Sequence, residues 1–94
     1  MKLNFEWDEE KAKANLKKHA VSFEEATTVF MDYFSMTKSD PEHSVDEQRY
    51  IDIGISDEGN VLVVAYTERG TNIRIISCRK ATHSERRFYK KGND

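Results

Sequence analysis

The last third of the chain concentrates positive charge in residue types that bind phosphate. From residue 69 onward the only acids are Glu85 and Asp94. The basic residues of this segment are Arg69, Arg74, Arg79, Lys80, Arg86, Arg87, Lys90 and Lys91. Because the whole chain has a formal net charge of -2, the excess is local and indicates a phosphate-bearing partner. RNA is the first candidate, and an acidic protein partner would suit the same charge.

These side chains could cleave RNA without a metal ion. Such cleavage needs a base for the 2′-hydroxyl, an acid for the leaving 5′-oxygen and cations for the charge on the phosphorane. Arginine suits the last role, since it stays charged and offers a bidentate fork to phosphate oxygens. The acid and base candidates are Glu68, His19, His43 and His83. The alternative is that these residues form a solvated salt-bridge surface.

The sequence contains no motif for a metal ion or a nucleotide cofactor, and we expect neither. The three histidines stand far apart, and none lies in an HExxH or Cys-His spacing. Cys78 is the only cysteine, and its apolar strand predicts a small buried side chain. No apolar run approaches the roughly 18 to 20 residues of a membrane span, and the N-terminus lacks the apolar stretch of a signal peptide. We therefore predict a cytoplasmic protein without membrane contact.

Two helices are predicted near the N-terminus of a single domain spanning residues 1–94. The first covers residues 8–18, with Ala12 and Leu16 on its buried side. Ser22 and Glu25 form a capping box that begins the second helix. The connection between the two is only about three residues, which is typical of an antiparallel helical hairpin.

Apolar alternation and turn residues predict the remaining elements. Strands are expected at residues 3–7, 33–37, 49–56, 60–67 and 72–79, with an exposed loop at 38–48. Thr82 and Glu85 form another capping box, which begins a short helix ending near Lys90. The order β-α-α-β-β-β-β-α predicts an α+β fold, with the hairpin on one face of an antiparallel sheet. We expect this packing to bury Phe23, Phe30, Ile51, Ile53, Val63 and Ile75.

Strand alternation also assigns the basic residues to faces of the sheet. In strand 72–79 it places Arg79 on the face of Ile73 and Ile75. Arg74 then shares the opposite face with Ile76 and Cys78. Trp7 is expected to anchor the core beside Phe23 and Phe30 rather than to stack on a base.

Three stretches of the chain resemble the BrnT family of ribonuclease toxins. They are FEWDEEKAKANLKKHAVSFEEATTVF, HSVDEQRYIDIGIS and VLVVAYTERGTNIRIISCRKATHSERRFY, and together they run from Phe5 to Tyr89. The resemblance implies a RelE-like fold, metal-independent RNA cleavage and arrest of translation. It also implies neutralisation by a BrnA-like ribbon-helix-helix antitoxin, through which operator DNA is bound. The family usually has glycine where this chain has Ala20, and commonly alanine in place of Cys78.

The residues and the resemblance together predict a site. The predicted catalytic residues are Arg79, Arg69, Glu68 and His19. The predicted RNA-binding residues are Arg74, Lys80, Arg86 and Tyr89. The competing hypothesis is a non-catalytic module that holds RNA or an antitoxin through the same basic surface.

Overall fold

The computed structural model describes residues 3–92, and the predicted domain limits Met1 and Asp94 lie outside them. The strands are β1 (Asn4–Glu6), β2 (Met36–Ser39), β3 (Arg49–Ile55), β4 (Val61–Arg69) and β5 (Asn72–Lys80). The helices are α1 (Glu9–His19), α2 (Phe23–Thr28) and α3 (His83–Gly92), with short 3-10 turns at Val29–Met31 and Pro41–His43. The element order is the predicted one. Within residues 3–92, none of the helices has both the length and the apolar character to cross a membrane.

The five strands form one sheet in the order β1-β5-β4-β3-β2. The expectation of a wholly antiparallel sheet is wrong at one edge, because β1 pairs with β5 in parallel, with Phe5 opposite Ile73. A parallel neighbour requires a long crossover, and the whole chain between β1 and β5 supplies it. Since β1 pairs only as far as Arg74, the second half of β5 has a free edge.

One face of the sheet, here called the rear face, packs against α1 and α2. The buried side chains of this face on β4 and β5 are Leu62, Val64, Tyr66, Ile73, Ile75 and Cys78. Phe23 and Ala26 of α2 complete this core. Trp7 lies edge-on to Phe23 with ring centroids 5.9 Å apart, so its predicted role as a core anchor is confirmed.

The opposite face, here called the front face, carries the isoleucines of β3. Ile51 pairs with Ala65 and Ile53 with Val63, whereas Asp52 pairs with Val64 of the rear face. The prediction that Ile51, Ile53 and Val63 pack under the two N-terminal helices is therefore wrong. Alternation shows which residues share a face, but it does not show which face the helices cover. On the front face Ile53 is buried nonetheless, beside Phe88 of α3.

A β-bulge in β5 decides where the arginines lie. Ser77 pairs with Ala65 and Ile75 with Tyr66, so Ile76 is an extra residue without a partner in the ladder. An extra residue reverses the alternation beyond it. Arg79 consequently lies opposite Val63, on the front face with Arg74. The predictions that Arg79 shares a face with Ile75, and that Arg74 and Arg79 face opposite ways, are both wrong.

Candidate active site

An open groove of about 490 Å3 crosses the front face. Its floor is apolar and is formed by Ile51, Val63, Ala65 and Ile76. Its walls carry the groups Lys18, His19, Asp40, His43, Arg49 and Arg79. Three permanent cations, one carboxylate and two imidazoles therefore surround a shallow apolar floor. These are the group types that metal-independent phosphodiester cleavage requires.

Arg79 is held at the groove by the first turn of α3. Its guanidinium donates two hydrogen bonds to the Glu85 carboxylate, at 2.7 and 2.9 Å. Glu85 also accepts from the Thr82 backbone N–H at 2.8 Å and its own N–H donates to Thr82 Oγ1 at 3.2 Å, which confirms the predicted capping box. The hydrogen bonds from Arg79 lower the pKa of Glu85 to about 2. One carboxylate thus caps the helix and orients the arginine.

Asn15 places the end of α1 beside the groove by pairing with the free edge of β5. Its amide donates to Cys78 O at 2.8 Å and to Val21 O at 3.0 Å, and its Oδ1 accepts from Cys78 N–H at 3.1 Å. The prediction that Leu16 lies on the buried side of α1 is wrong, because Leu16 is 52% exposed while Asn15 is 6% exposed. Backbone groups at an unpaired strand edge need partners, and an amide side chain supplies both a donor and an acceptor.

The last residues of α1 reach the groove just before the chain reverses. Ala20 ends the helix in the left-handed region, with φ 58° and ψ 30°, and its N–H bonds to Leu16 O. This turn sends Val21 into the core, where it is buried. His19 and Lys18 remain at the groove wall. The sequence position that the family usually fills with glycine is thus one that requires positive φ.

The loop between β2 and β3 forms the opposite wall, and both of its ends are fixed. The Asp40 N–H donates to Arg49 O at 2.8 Å. Ser44 Oγ accepts from the Arg49 N–H at 2.9 Å and donates to Asp40 O at 2.6 Å. Within this closed loop the Nδ1 atom of His43 lies 2.8 Å from Asp40 Oδ2. The imidazole is therefore held by a carboxylate at the edge of the groove.

Arg49 is a site residue that the sequence analysis missed. It pairs with Thr67 across the sheet and so belongs to the front face. A terminal nitrogen lies 3.9 Å from Glu47, and its buried Nε has no hydrogen-bond partner within residues 3–92. Two signals point to it in the sequence: it alternates with Ile51, and it lies in the stretch HSVDEQRYIDIGIS that carries the family resemblance.

Residues 7–85 match the family model described as the ribonuclease toxin BrnT of type II toxin-antitoxin systems. The chain belongs to the BrnT family. The crystal structure of the Brucella abortus ribonuclease toxin BrnT is similar, with a TM-score of 0.64 and 22% sequence identity over 87% of this chain and 100% of that chain. This likeness shows a shared fold, with a five-stranded sheet and three helices. No curated protein matches the chain.

In this BrnT-family chain the structure brings only some of the predicted site residues to the groove. Arg79 and His19 line it. Arg74 and Arg69 lie on the front face outside the lining, where Arg74 is 3.4 Å from Glu6 and Arg69 is 3.7 Å from Glu47. The front face therefore holds all three predicted phosphate-binding arginines, each with a carboxylate nearby.

The other predicted site residues lie elsewhere. Glu68 pairs with Ile73 on the rear side of the sheet and is exposed. Lys80 is exposed at the end of β5, and Arg86 donates to Ala81 O at 3.0 Å. The Tyr89 hydroxyl donates to Asp32 at 2.5 Å. Burial and this hydrogen bond raise the pKa of Tyr89 to about 12.

Proposed function

We propose that this chain cleaves RNA in the front-face groove without a metal ion and thereby inhibits translation in the cytoplasm. One observation carries the proposal: in a family of ribonuclease toxins, Arg49 and Arg79 share a groove with His19 and His43. The open apolar floor leaves room for a nucleotide between them. The five-stranded sheet and three helices also support a RelE-like fold with an N-terminal helical hairpin, which we retain as a proposal.

The arginines have distinct proposed roles. Arg79 and Arg49 hold the scissile phosphate and stabilise the charge that develops on it. Arg74 and Arg69 bind the RNA backbone next to the groove, because they lie on the same face of the sheet. Of the two leading acid and base candidates, the geometry favours His19, which lines the groove.

Residues beyond the groove extend the proposed basic surface. Arg86 lies on α3, and Lys80 pairs with Leu62 of the rear face at the end of β5. Both are exposed and are proposed to add long-range positive potential for the RNA backbone. Tyr89 is tied to Asp32 by its hydroxyl, so its proposed contact with RNA would be made by the ring. Glu68 could act as an acid or base only if the RNA also contacts the rear side of the sheet.

We further propose that a small, partly acidic, BrnA-like ribbon-helix-helix antitoxin binds this chain and covers its basic surface. A type II toxin requires such a neutralising protein partner. On α3 the exposed cations are Arg86, Arg87, Lys90 and Lys91, and Phe88 among them is 64% exposed. Cations around an exposed aromatic ring suit an acidic segment with apolar residues. Operator DNA would be bound through the antitoxin.

A non-catalytic binding module is the second candidate function, and one observation favours it. Each front-face arginine already has a carboxylate within 4 Å, provided by Glu6, Glu47 or Glu85. Such an arrangement is also what a purely structural salt-bridge surface would show. The pairs of Arg49, Arg69 and Arg74 span 3.4 to 3.9 Å, and exposed ion pairs of this kind contribute only about 0 to 1 kcal/mol, so a bound phosphate can compete for these three arginines. Arg79 is held by its bidentate pair with Glu85, and its side chain remains 41% exposed. Activity measurements decide between the two functions.

The test is single-turnover cleavage of RNA by Arg79→Ala in buffer containing EDTA. If Arg79 stabilises the transition state, the rate falls by about 10² to 10³, equivalent to roughly 2 to 4 kcal/mol. Growth inhibition is then abolished, while folding and antitoxin binding persist. Lys13→Ala is the matched control, because it removes one positive charge from a side chain that is 75% exposed on α1.

Two other outcomes have different meanings. If only RNA affinity falls, with a shallower dependence on salt because one phosphate contact is lost, and the single-turnover rate is unchanged, Arg79 binds backbone phosphate and the binding-module function is supported. Loss of cleavage by the unmodified chain in EDTA would contradict metal independence. A folded Arg79→Ala protein that remains fully toxic places the active site elsewhere.

A further inference from the structure

We infer that His43 is the general base of the proposed cleavage and that Asp40 is its positioning residue. The inference rests on the proposed ribonuclease function and adds the group that starts the reaction. It is carried by the geometry of the loop between β2 and β3. The sequence contains three histidines, and nothing in their spacing distinguishes His43 from the other two.

The local sequence Asp-Pro-Glu-His-Ser builds the pair. Pro41 begins a 3-10 turn, and the His43 N–H donates to Asp40 O at 3.2 Å. The turn brings the two side chains to one side, where Nδ1 lies 2.8 Å from Asp40 Oδ2. Because Ser44 and Arg49 fix the ends of the loop, the pair is anchored to the start of β3. Its position relative to Arg49 is therefore determined by the backbone.

The hydrogen bond fixes which ring nitrogen can act. With Nδ1–H donated to Asp40, Nε2 carries the lone pair and is the atom able to accept a proton. A carboxylate on Nδ1 also stabilises the imidazolium that forms when Nε2 is protonated. Of the three histidines, His43 is the one paired with a carboxylate within residues 3–92. The side chain of Asp40 is 18% exposed and that of His43 is 62% exposed, so the base remains accessible to substrate.

The charged groups facing His43 come from every element around the groove. They are Lys18 and His19 of α1, Arg49 of β3 and Arg79 of β5, besides Asp40 of its own loop. Asp40 is the single carboxylate of the lining, and its hydrogen-bond partner is His43, at 2.8 Å. The two histidines of the groove therefore differ in their partners, because only His43 is paired with a carboxylate within residues 3–92.

The proposed reaction is an in-line transesterification. Nε2 of His43 takes the proton of the 2′-hydroxyl, and the 2′-oxygen forms a bond to phosphorus. The bond from phosphorus to the 5′-oxygen breaks, and that oxygen receives a proton from the His19 imidazolium. The products are a 2′,3′-cyclic phosphate and a 5′-hydroxyl end. Arg49 and Arg79 neutralise the phosphorane oxygens.

The experiment compares five variants of the full chain in single-turnover RNA cleavage over a range of pH. They are His43→Ala, His43→Asn, Asp40→Asn, His19→Ala and, as control, His83→Ala. The structure places His83, the remaining histidine candidate from the sequence, exposed at the start of α3 and outside the groove lining. His43→Asn keeps a side-chain donor for Asp40 and so preserves the loop while removing the base. We expect both His43 variants to lose about 10² to 10⁴ in rate. His83→Ala should retain the rate of the unmodified chain.

The pH–rate profile and a modified substrate separate base from acid. We expect the acidic limb of the profile, which reports the protonation of the general base, to vanish in His43→Asn and to move in Asp40→Asn. RNA with a bridging 5′-sulfur at the scissile phosphate has a leaving group that needs no proton. This substrate should restore cleavage by His19→Ala and should not restore cleavage by His43→Asn.

Each outcome decides the inference. A folded His43→Asn protein with the rate and profile of the unmodified chain overturns it, and so does rescue of that variant by the bridging sulfur, which would make His43 the acid. Suppose that the unmodified chain cleaves RNA, that Arg79→Ala does not, and that His43→Asn cleaves at the unmodified rate. The proposed function then stands, and only the role inferred for His43 is refuted. If the unmodified chain does not cleave RNA, the proposed function and the inference fall together.

Discussion

Replacement of Asn15 by alanine is expected to destabilise the fold more than any change to the apolar residues of the same helix. Asn15 makes three hydrogen bonds, two with Cys78 and one with Val21, and it is 6% exposed. A typical hydrogen bond contributes about 1 kcal/mol net, and a buried group left unpaired costs about 1 to 3 kcal/mol. For the three buried hydrogen bonds together we expect a loss of about 2 to 4 kcal/mol.

Urea unfolding and thermal unfolding measure this loss. For a domain of this size, 1 kcal/mol corresponds to about 4 to 8 °C in Tm, so Asn15→Ala should lower Tm by about 10 to 25 °C. The change should also loosen the end of α1. Cleavage by the folded fraction should fall as well, because His19 reaches the groove from that end.

Leu16→Ala is the matched control on the neighbouring residue. Because Leu16 is 52% exposed and alanine favours helix, its replacement should cost about 1 kcal/mol or less. A hydrophobic interpretation of α1 predicts the reverse order. If Leu16→Ala proves more destabilising than Asn15→Ala, the docking of α1 through an amide on the edge of β5 is refuted.

Two further predictions concern the helix ends that frame the groove. Ala20→Gly should raise the free energy of unfolding by about 1 kcal/mol, since φ at residue 20 is 58°. Ala14→Gly, in the exposed interior of α1, is the control and should lower the free energy of unfolding by about 1 kcal/mol. If both variants are less stable than the unmodified chain, the strain at Ala20 is contradicted. For Glu85 the folded pKa of about 2 lies below the ordinary value of 4.5, so its contribution to stability is present above pH 4.5 and is lost as pH falls towards 2. Urea unfolding across this window should therefore show a steeper acid loss in the unmodified chain than in Glu85→Gln, and parallel curves would show that the pair with Arg79 contributes nothing.

Local signals in the sequence predicted the elements themselves. Asp8, Ser22 and Thr82 cap their helices as expected, because a cap depends on residues within one turn of each other. Of the two hydrogen bonds of the capping box at Ser22, only the one from the Glu25 N–H to Ser22 Oγ forms. The Glu25 carboxylate instead accepts from Ser56 at 2.6 Å and from Asn60 at 2.9 Å, partners more than 30 residues away that no local pattern indicates.

The motifs along the chain also predicted the family, and the family match confirms it. Such motifs preserve residue types and spacings, so they are visible without coordinates. They indicated that phosphate-binding arginines and acid or base groups exist. They did not indicate which of these groups meet, since Glu68 and Arg79 look equally suitable in sequence yet lie on opposite faces of the sheet.

The tertiary structure alone decided the composition of the groove. The bulge at Ile76 reverses the alternation of β5 and brings Arg79 to the face of Arg74. Because β1 is short, part of the edge of β5 is free to pair with Asn15, and this pairing places His19 at one wall of the groove. The register of β3 places Arg49 at the other wall. Each of these depends on pairing between strands distant in sequence. A shift of one residue in such pairing moves every side chain to the opposite face, so residue types alone could not fix the site.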